Sequence, residues 1–79
     1  MSNYDKYVEV FSDTFEIDKN EVENLTYQGI EAWDSVGHMG LIAAIEETFD
    51  IMMDTEDIID FSSFQKGKEI LSTKYGISF

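Results

Sequence analysis

Ser35 is the side chain in this sequence most readily placed in a reaction. It follows Asp34, precedes His38, and stands near the start of an apolar run, "WDSVGHMGLIAAIEETFD", that spans Trp33 to Asp50. Two chemistries can use such a hydroxyl. In one, a neighbouring base takes its proton and the serine attacks as a nucleophile, with Asp34 and His38 supplying the residue types. No Gly-x-Ser-x-Gly elbow is present, however, and helical projection turns His38 into a stripe with Leu41, Ile42, Ile45 and Phe49, where a histidine usually serves structure. In the other chemistry the hydroxyl carries a phosphate ester, because a helix N-terminus offers free N–H groups and a partial positive charge. A serine there is most often just a cap, but Asp34 caps at least as well, which frees the Ser35 hydroxyl to point outward. The acidic stretch "DIMMDTEDIID" is a poor calcium loop, since Met52 and Thr55 fall where an EF-hand requires an oxygen ligand and a glycine.

The elements that must hold these residues follow from periodicity. Tyr4, Tyr7, Val8, Phe11 and Phe15 recur at the spacing of an amphipathic helix, with Ser2 or Asn3 as cap. From Ile17 to Trp33 the pattern weakens, which predicts a long connection with one short turn near Asn20 to Leu25. The second helix runs from Asp34 or Ser35 to about Phe49. Its core stripe leaves Val36, Met39 and Ala43 on a second apolar stripe, which shades into Glu46, Glu47 and Asp50 and suits either a second packing layer or a partner. "DTEDIID" predicts a short third helix capped by Asp54 or Thr55, with acids in its first turn. Ser62 and Gln65 form a capping-box pair that opens a fourth helix ending at Gly76. Trp33, Phe61 and Phe64, at element ends, are expected as core or as the lining of an apolar shelter. Lys66, Lys68 and Lys74 are expected on a solvated face. The expected fold is all-α, a single domain over residues 1–79 built as a bundle of three longer helices and one short one.

Composition narrows the function. The 79 residues include 17 Asp and Glu against 5 Lys and Arg, a net charge of −12, and no cysteine. No Lys or Arg lies between Lys19 and Lys66, so the middle of the chain is one acidic field containing Ser35. That field argues against nucleic acid or an anionic membrane as partner and favours a basic protein surface. With no basic, apolar leader in "MSNYDKYVEV" and no stretch of membrane-spanning length, a cytoplasmic chain is expected. Any thiol chemistry would need a borrowed thiol.

The run from Trp33 to Ile51 resembles the modification-site helix of acyl carrier proteins, in which Asp-Ser-Leu opens an apolar helix ending in acids and Phe. Asp34, Ser35, Val36 in place of leucine, Leu41, Ile45, Glu46 and Phe49 carry the likeness. The order and lengths of the four expected helices extend it over essentially the whole chain. The resemblance implies a non-catalytic, monomeric carrier. A phosphopantetheinyl transferase, using coenzyme A and magnesium, would attach 4′-phosphopantetheine to Ser35, with Asp34 as motif partner. The arm's thiol would then hold acyl or aminoacyl groups as thioesters for the loading and processing enzymes of a biosynthetic pathway. Val36, Met39, Ala43, Glu46 and Glu47 would meet the basic docking surfaces of those enzymes. Gly37 and Gly40 depart from the pattern, standing where fatty-acid carriers often place carboxylates. Trp33 replaces a small residue, and with His38 it suggests a specialised stand-alone member. The competing expectation is an acidic helical interaction module with no covalent group.

Overall fold

A computed structural model describes residues 1–79, and the fold is all-α with no strand. Four α-helices follow in order: α1 (Asn3–Phe15), α2 (Ser35–Phe49), α3 (Thr55–Asp60) and α4 (Phe64–Tyr75), with a 3₁₀ turn at Lys19–Asn24 inside the first connection. No helix is long and apolar enough to cross a membrane. The apolar spacing of α1 buries Tyr7, Val8, Val10, Phe11 and Phe15, and Ser2 caps it by accepting from the Asp5 N–H. Both α1 and α2 end on a left-handed residue, Glu16 and Asp50, and α4 ends at Gly76 with φ of 68°. In each case this backbone turn lets the terminal N–H close back on the last helical turn.

Phe11 is the hub of the core. Its ring meets Tyr7, Phe64, Trp33 and Phe61 at centroid distances of 4.9, 5.1, 5.6 and 6.3 Å. Such an aromatic cluster gives a short chain a large apolar payload per residue. Its polar atom is satisfied inside: the Tyr7 hydroxyl donates to the Phe64 carbonyl at 2.8 Å, and burial pushes this phenol far above its ordinary titration range. From α2, Leu41, Ile42 and Ile45 close the core, and Phe49 is half-buried at its edge against Phe79.

The first connection is long because it is built into the fold. Thr26 and Ser63 form an antiparallel bridge, Tyr27 N–H donates to the Ser62 carbonyl at 2.8 Å, and Phe64 N–H donates to the Leu25 carbonyl at 3.0 Å. These bonds correct the expected capping box. Ser63, not Ser62, caps α4 by accepting from Lys66 N–H, while Gln65 reaches across to the Glu23 carbonyl. The Ser62 carbonyl is taken by the loop, so the cap falls to the next residue.

The lysines expected on a solvated face are exposed at Lys66 and Lys74, and one of them is also paired. Lys68 lies over the Tyr4 ring and Lys66 is exposed, but the Lys74 ammonium donates to Asp57 Oδ1 at 2.7 Å. Tyr75 donates to Asp57 Oδ2 at 2.6 Å and accepts from Asp54 N–H at 2.9 Å. Asp57, buried with its side chain 4% exposed, therefore ties α3 to the end of α4. The hydrogen bonds from Lys74 and Tyr75 hold its carboxyl below the usual value of 3.8 even though burial opposes them.

The sign of the resulting pH dependence follows from that shift. A carboxylate whose folded pKa is depressed stabilises fully above its unfolded value and loses that contribution as pH falls through the folded one. The Tm difference between wild type and Asp57→Asn should therefore be constant from mildly acidic to neutral pH and shrink below pH 3.8. Thermal denaturation followed by circular dichroism checks this, and a difference that does not change in acid removes Asp57 from the role.

Candidate functional site

The start of α2 is organised by Asp34, whose extended backbone and side-chain acceptor make it the cap; its Oδ1 accepts from Gly37 N–H at 2.8 Å. The first helical bond runs from His38 N–H to the Asp34 carbonyl at 2.8 Å. The N–H groups of Ser35 and Val36 stand ahead of that bond, and Ser35 is exposed with its hydroxyl in no hydrogen bond of the fold. Gly37 is a glycine for a reason of space. A Cβ there would collide with the Ala32 carbonyl oxygen, which crosses the first turn of α2 as the chain dives inward at Trp33. Gly40 differs, since a Cβ there meets nothing within 4 Å.

Trp33 is fully buried, and its indole nitrogen finds a partner in His38: Nε1–H donates to Nδ1 at 2.9 Å. An indole N–H can only donate, so Nδ1 is the acceptor and the ring proton sits on Nε2, which donates to the Ile58 carbonyl at 2.8 Å. The two rings stack with an interplanar angle of 14°. Both nitrogens of His38 are thus engaged away from Ser35, and the nucleophile-and-base arrangement of Asp34, Ser35 and His38 is not assembled.

Ser35 opens instead onto a cleft of about 390 Å³ between α2 and α3, walled by Tyr27, His38, Met39, Ile58 and Ile59 and floored by Phe61. On its outer side lies an apolar surface in which Val36 is 80% exposed, Met39 55% and Ile59 73%, with Ala43 continuing it along α2. The stripe expected from the α2 projection is therefore uncovered in the chain. The two acids assigned to the same surface diverge. Glu47 is exposed and borders a separate groove of about 500 Å³ between α1 and α2, beside Lys6, Glu9 and Asp13. Glu46 is half-buried and turns Oε2 back to accept from Met53 N–H at 2.8 Å, fixing the α2–α3 loop. Comparisons of the chain with protein-family models, with curated proteins and with solved structures return no match.

Three wall residues were not foreseen from the sequence. Tyr27 lies in the stretch with weak periodicity, and Ile58 and Ile59 belong to a helix too short for a periodic signal. The adjacent pair Ile58–Ile59 was nevertheless a usable clue, because two neighbouring apolar residues on a one-turn helix cannot both face the core. Of the aromatics expected as core or shelter, Trp33 and Phe64 are core, and Phe61 is both buried and exposed by one edge to the cleft.

The two glycines of α2 should respond oppositely to alanine. Gly40→Ala should raise stability by about 0.5–1 kcal/mol through helix propensity. Gly37→Ala should lower it by about 1–3 kcal/mol, because the Ala32 carbonyl must shift. Urea denaturation of the two variants checks the sign of each.

Proposed function

We propose that the chain is a carrier of acyl or aminoacyl groups, held as thioesters on a 4′-phosphopantetheine arm esterified to Ser35. The observation that supports this best is the state of that serine: Asp34 does the capping, and the hydroxyl stands exposed at the mouth of an apolar cleft inside the acidic field. The all-α order of helices agrees with the acyl-carrier-like bundle that the Asp34–Ser35–Val36 motif suggests.

The residues present fit the group. The exposed Ser35 oxygen is open to a transferase from solvent, and a phosphodiester formed there would meet the positive end of α2, where the N–H groups of Ser35 and Val36 precede the first helical bond. The arm supplies the thiol that the sequence lacks. What the chain contributes is placement: the Asp34 cap fixes the serine, the uncovered Val36–Met39–Ile59 surface gives an enzyme something apolar to grip, and the surrounding carboxylates steer it toward basic partners. Tethering raises the cargo's effective concentration at each enzyme the carrier visits.

The second reading, an acidic interaction module without a prosthetic group, draws on the same exposed Val36, Met39 and Ile59. One experiment separates the two. The purified chain is incubated with coenzyme A, magnesium and a broad-specificity phosphopantetheinyl transferase, then weighed. A mass gain of one phosphopantetheine, absent from Ser35→Ala, supports the carrier; an unchanged mass beside a competent control carrier supports the module.

The docking surface carries its own prediction. Val36→Glu and Met39→Glu should leave the unfolding free energy within about 0.5 kcal/mol of wild type, since both side chains are exposed. Each should slow modification of Ser35 at limiting transferase. A large loss of stability in either variant would mean that the surface is packed in solution.

A further inference from the structure

α3 is held unusually for a wall of a binding cleft. Six residues cannot sustain a helix alone. Its position depends on two polar fastenings at opposite sides: Asp57 to Lys74 and Tyr75 of α4, and the Ile58 carbonyl to His38 of α2. That carbonyl belongs to the last turn of α3, where its one backbone donor is the Phe61 N–H at a long 3.4 Å, so the 2.8 Å bond from His38 is the shorter of its two. The His38 fastening works in one protonation state and one tautomer, because Trp33 can only donate to Nδ1.

We propose that His38 is a positioning residue that latches α3 to α2 and sets the width of the cleft beside Ser35, and that protonating its ring releases the latch. A proton on Nδ1 would face the N–H of the fully buried Trp33, donor against donor, in a part-buried contact where that N–H has no other acceptor. To escape, the ring must turn, which withdraws Nε2–H from the Ile58 carbonyl. Ile58 and Ile59 then move as one piece, since they ride on α3. Imidazole is the side chain whose charge changes most readily in mildly acidic solution.

The groups that face the ring come from three elements. From the first connection Tyr27 presents its phenol ring edge-on at 5.4 Å, and from the end of α3 Phe61 meets it at 6.1 Å. Asp34, at the head of α2, turns its carboxylate to Gly37, and Asp57 on α3 turns its own to Lys74 and Tyr75. No carboxylate is hydrogen-bonded to the imidazole. The significance of the latch for cargo or arm rests on the carrier reading of Ser35; its mechanics do not.

The test uses the unmodified full-length chain and nuclear magnetic resonance, following the Trp33 indole N–H and the exchange protection factors of α3 amides across pH. His38→Gln supplies one acceptor and one donor at similar reach but does not titrate, and His38→Leu supplies neither. In wild type, α3 protection should fall about tenfold or more in the same step in which the His38 ring and the Trp33 N–H shift. His38→Gln should keep wild-type protection at neutral pH and lack that step, while His38→Leu should be unprotected in α3 at every pH. An equal step in wild type and His38→Gln, or full α3 protection in His38→Leu, overturns the proposal. If His38→Leu does not fold, the comparison of wild type with His38→Gln decides alone. Release of Asp57 lies at lower pH and is common to both chains, so it cancels. Failure of Ser35 to accept phosphopantetheine would sink the carrier reading and leave these measurements untouched, whereas an unlatched α3 would leave the mass gain untouched.

Discussion

The buried indole nitrogen of Trp33 is the constraint from which the geometry around Ser35 follows. A tryptophan with no solvent exposure must pair its one polar atom inside the protein or forfeit much of what burying the ring contributes. His38 is the partner, one helical turn into α2, so the end of the long connection and the start of the helix are locked in mutual register. Stacking of Trp33 against Phe15 and its edge contact with Phe11 carry that register into α1. The serine between Trp33 and His38 has little freedom left: with one neighbour fixed inward and the next turn fixed over it, Ser35 faces out.

The short run Trp33-Asp34-Ser35-Val36-Gly37-His38 thus divides its labour by residue type. The tryptophan anchors, the aspartate caps, the glycine makes room for the Ala32 carbonyl, and the histidine joins core to α3. Each of these roles is structural, and together they leave one nucleophilic oxygen and one apolar side chain, Val36, unclaimed. Gly37 is informative here. A carboxylate at that position, common in fatty-acid carriers, could not be accommodated with this approach of Ala32, so any electrostatic docking by this chain must use acids elsewhere around the site.

What the sequence revealed and what it hid divide along the range of the interactions. α1, α2 and the stop of α4 at Gly76 were legible because apolar spacing, caps and left-handed C-termini are local. So was the freedom of Ser35, since the competition with Asp34 is between adjacent residues. That Val36, Met39 and Ala43 lie off the core stripe could be projected from 3.6-residue periodicity, whereas their exposure depends on which elements pack nearby. Ser62 does not cap α4 because the distant Tyr27 N–H, beside the Thr26–Ser63 bridge, claims its carbonyl. Asp57 read as one more acid of a first turn, and Lys74 as one more surface cation, because nothing local joins residues 17 positions apart. His38 was rightly placed toward the core, but its service to the Ile58 carbonyl depends on where α3 packs, which periodicity over six residues cannot say.

The contrast between α3 and the other helices has a physical consequence for the site. α1, α2 and α4 share an aromatic and aliphatic core whose packing tolerates little displacement. α3 gives that core only part of Ile58, and its other apolar side chain, Ile59, faces solvent. Hydrogen bonds, each worth about 1 kcal/mol net, are directional and are lost as wholes when a partner turns away. A wall fastened chiefly in that way opens in discrete steps, whereas a wall fastened by apolar area would yield by degrees. The cleft beside Ser35 therefore has one rigid side, from α2, and one side whose position is set by the hydrogen-bond pairing of His38 and Asp57.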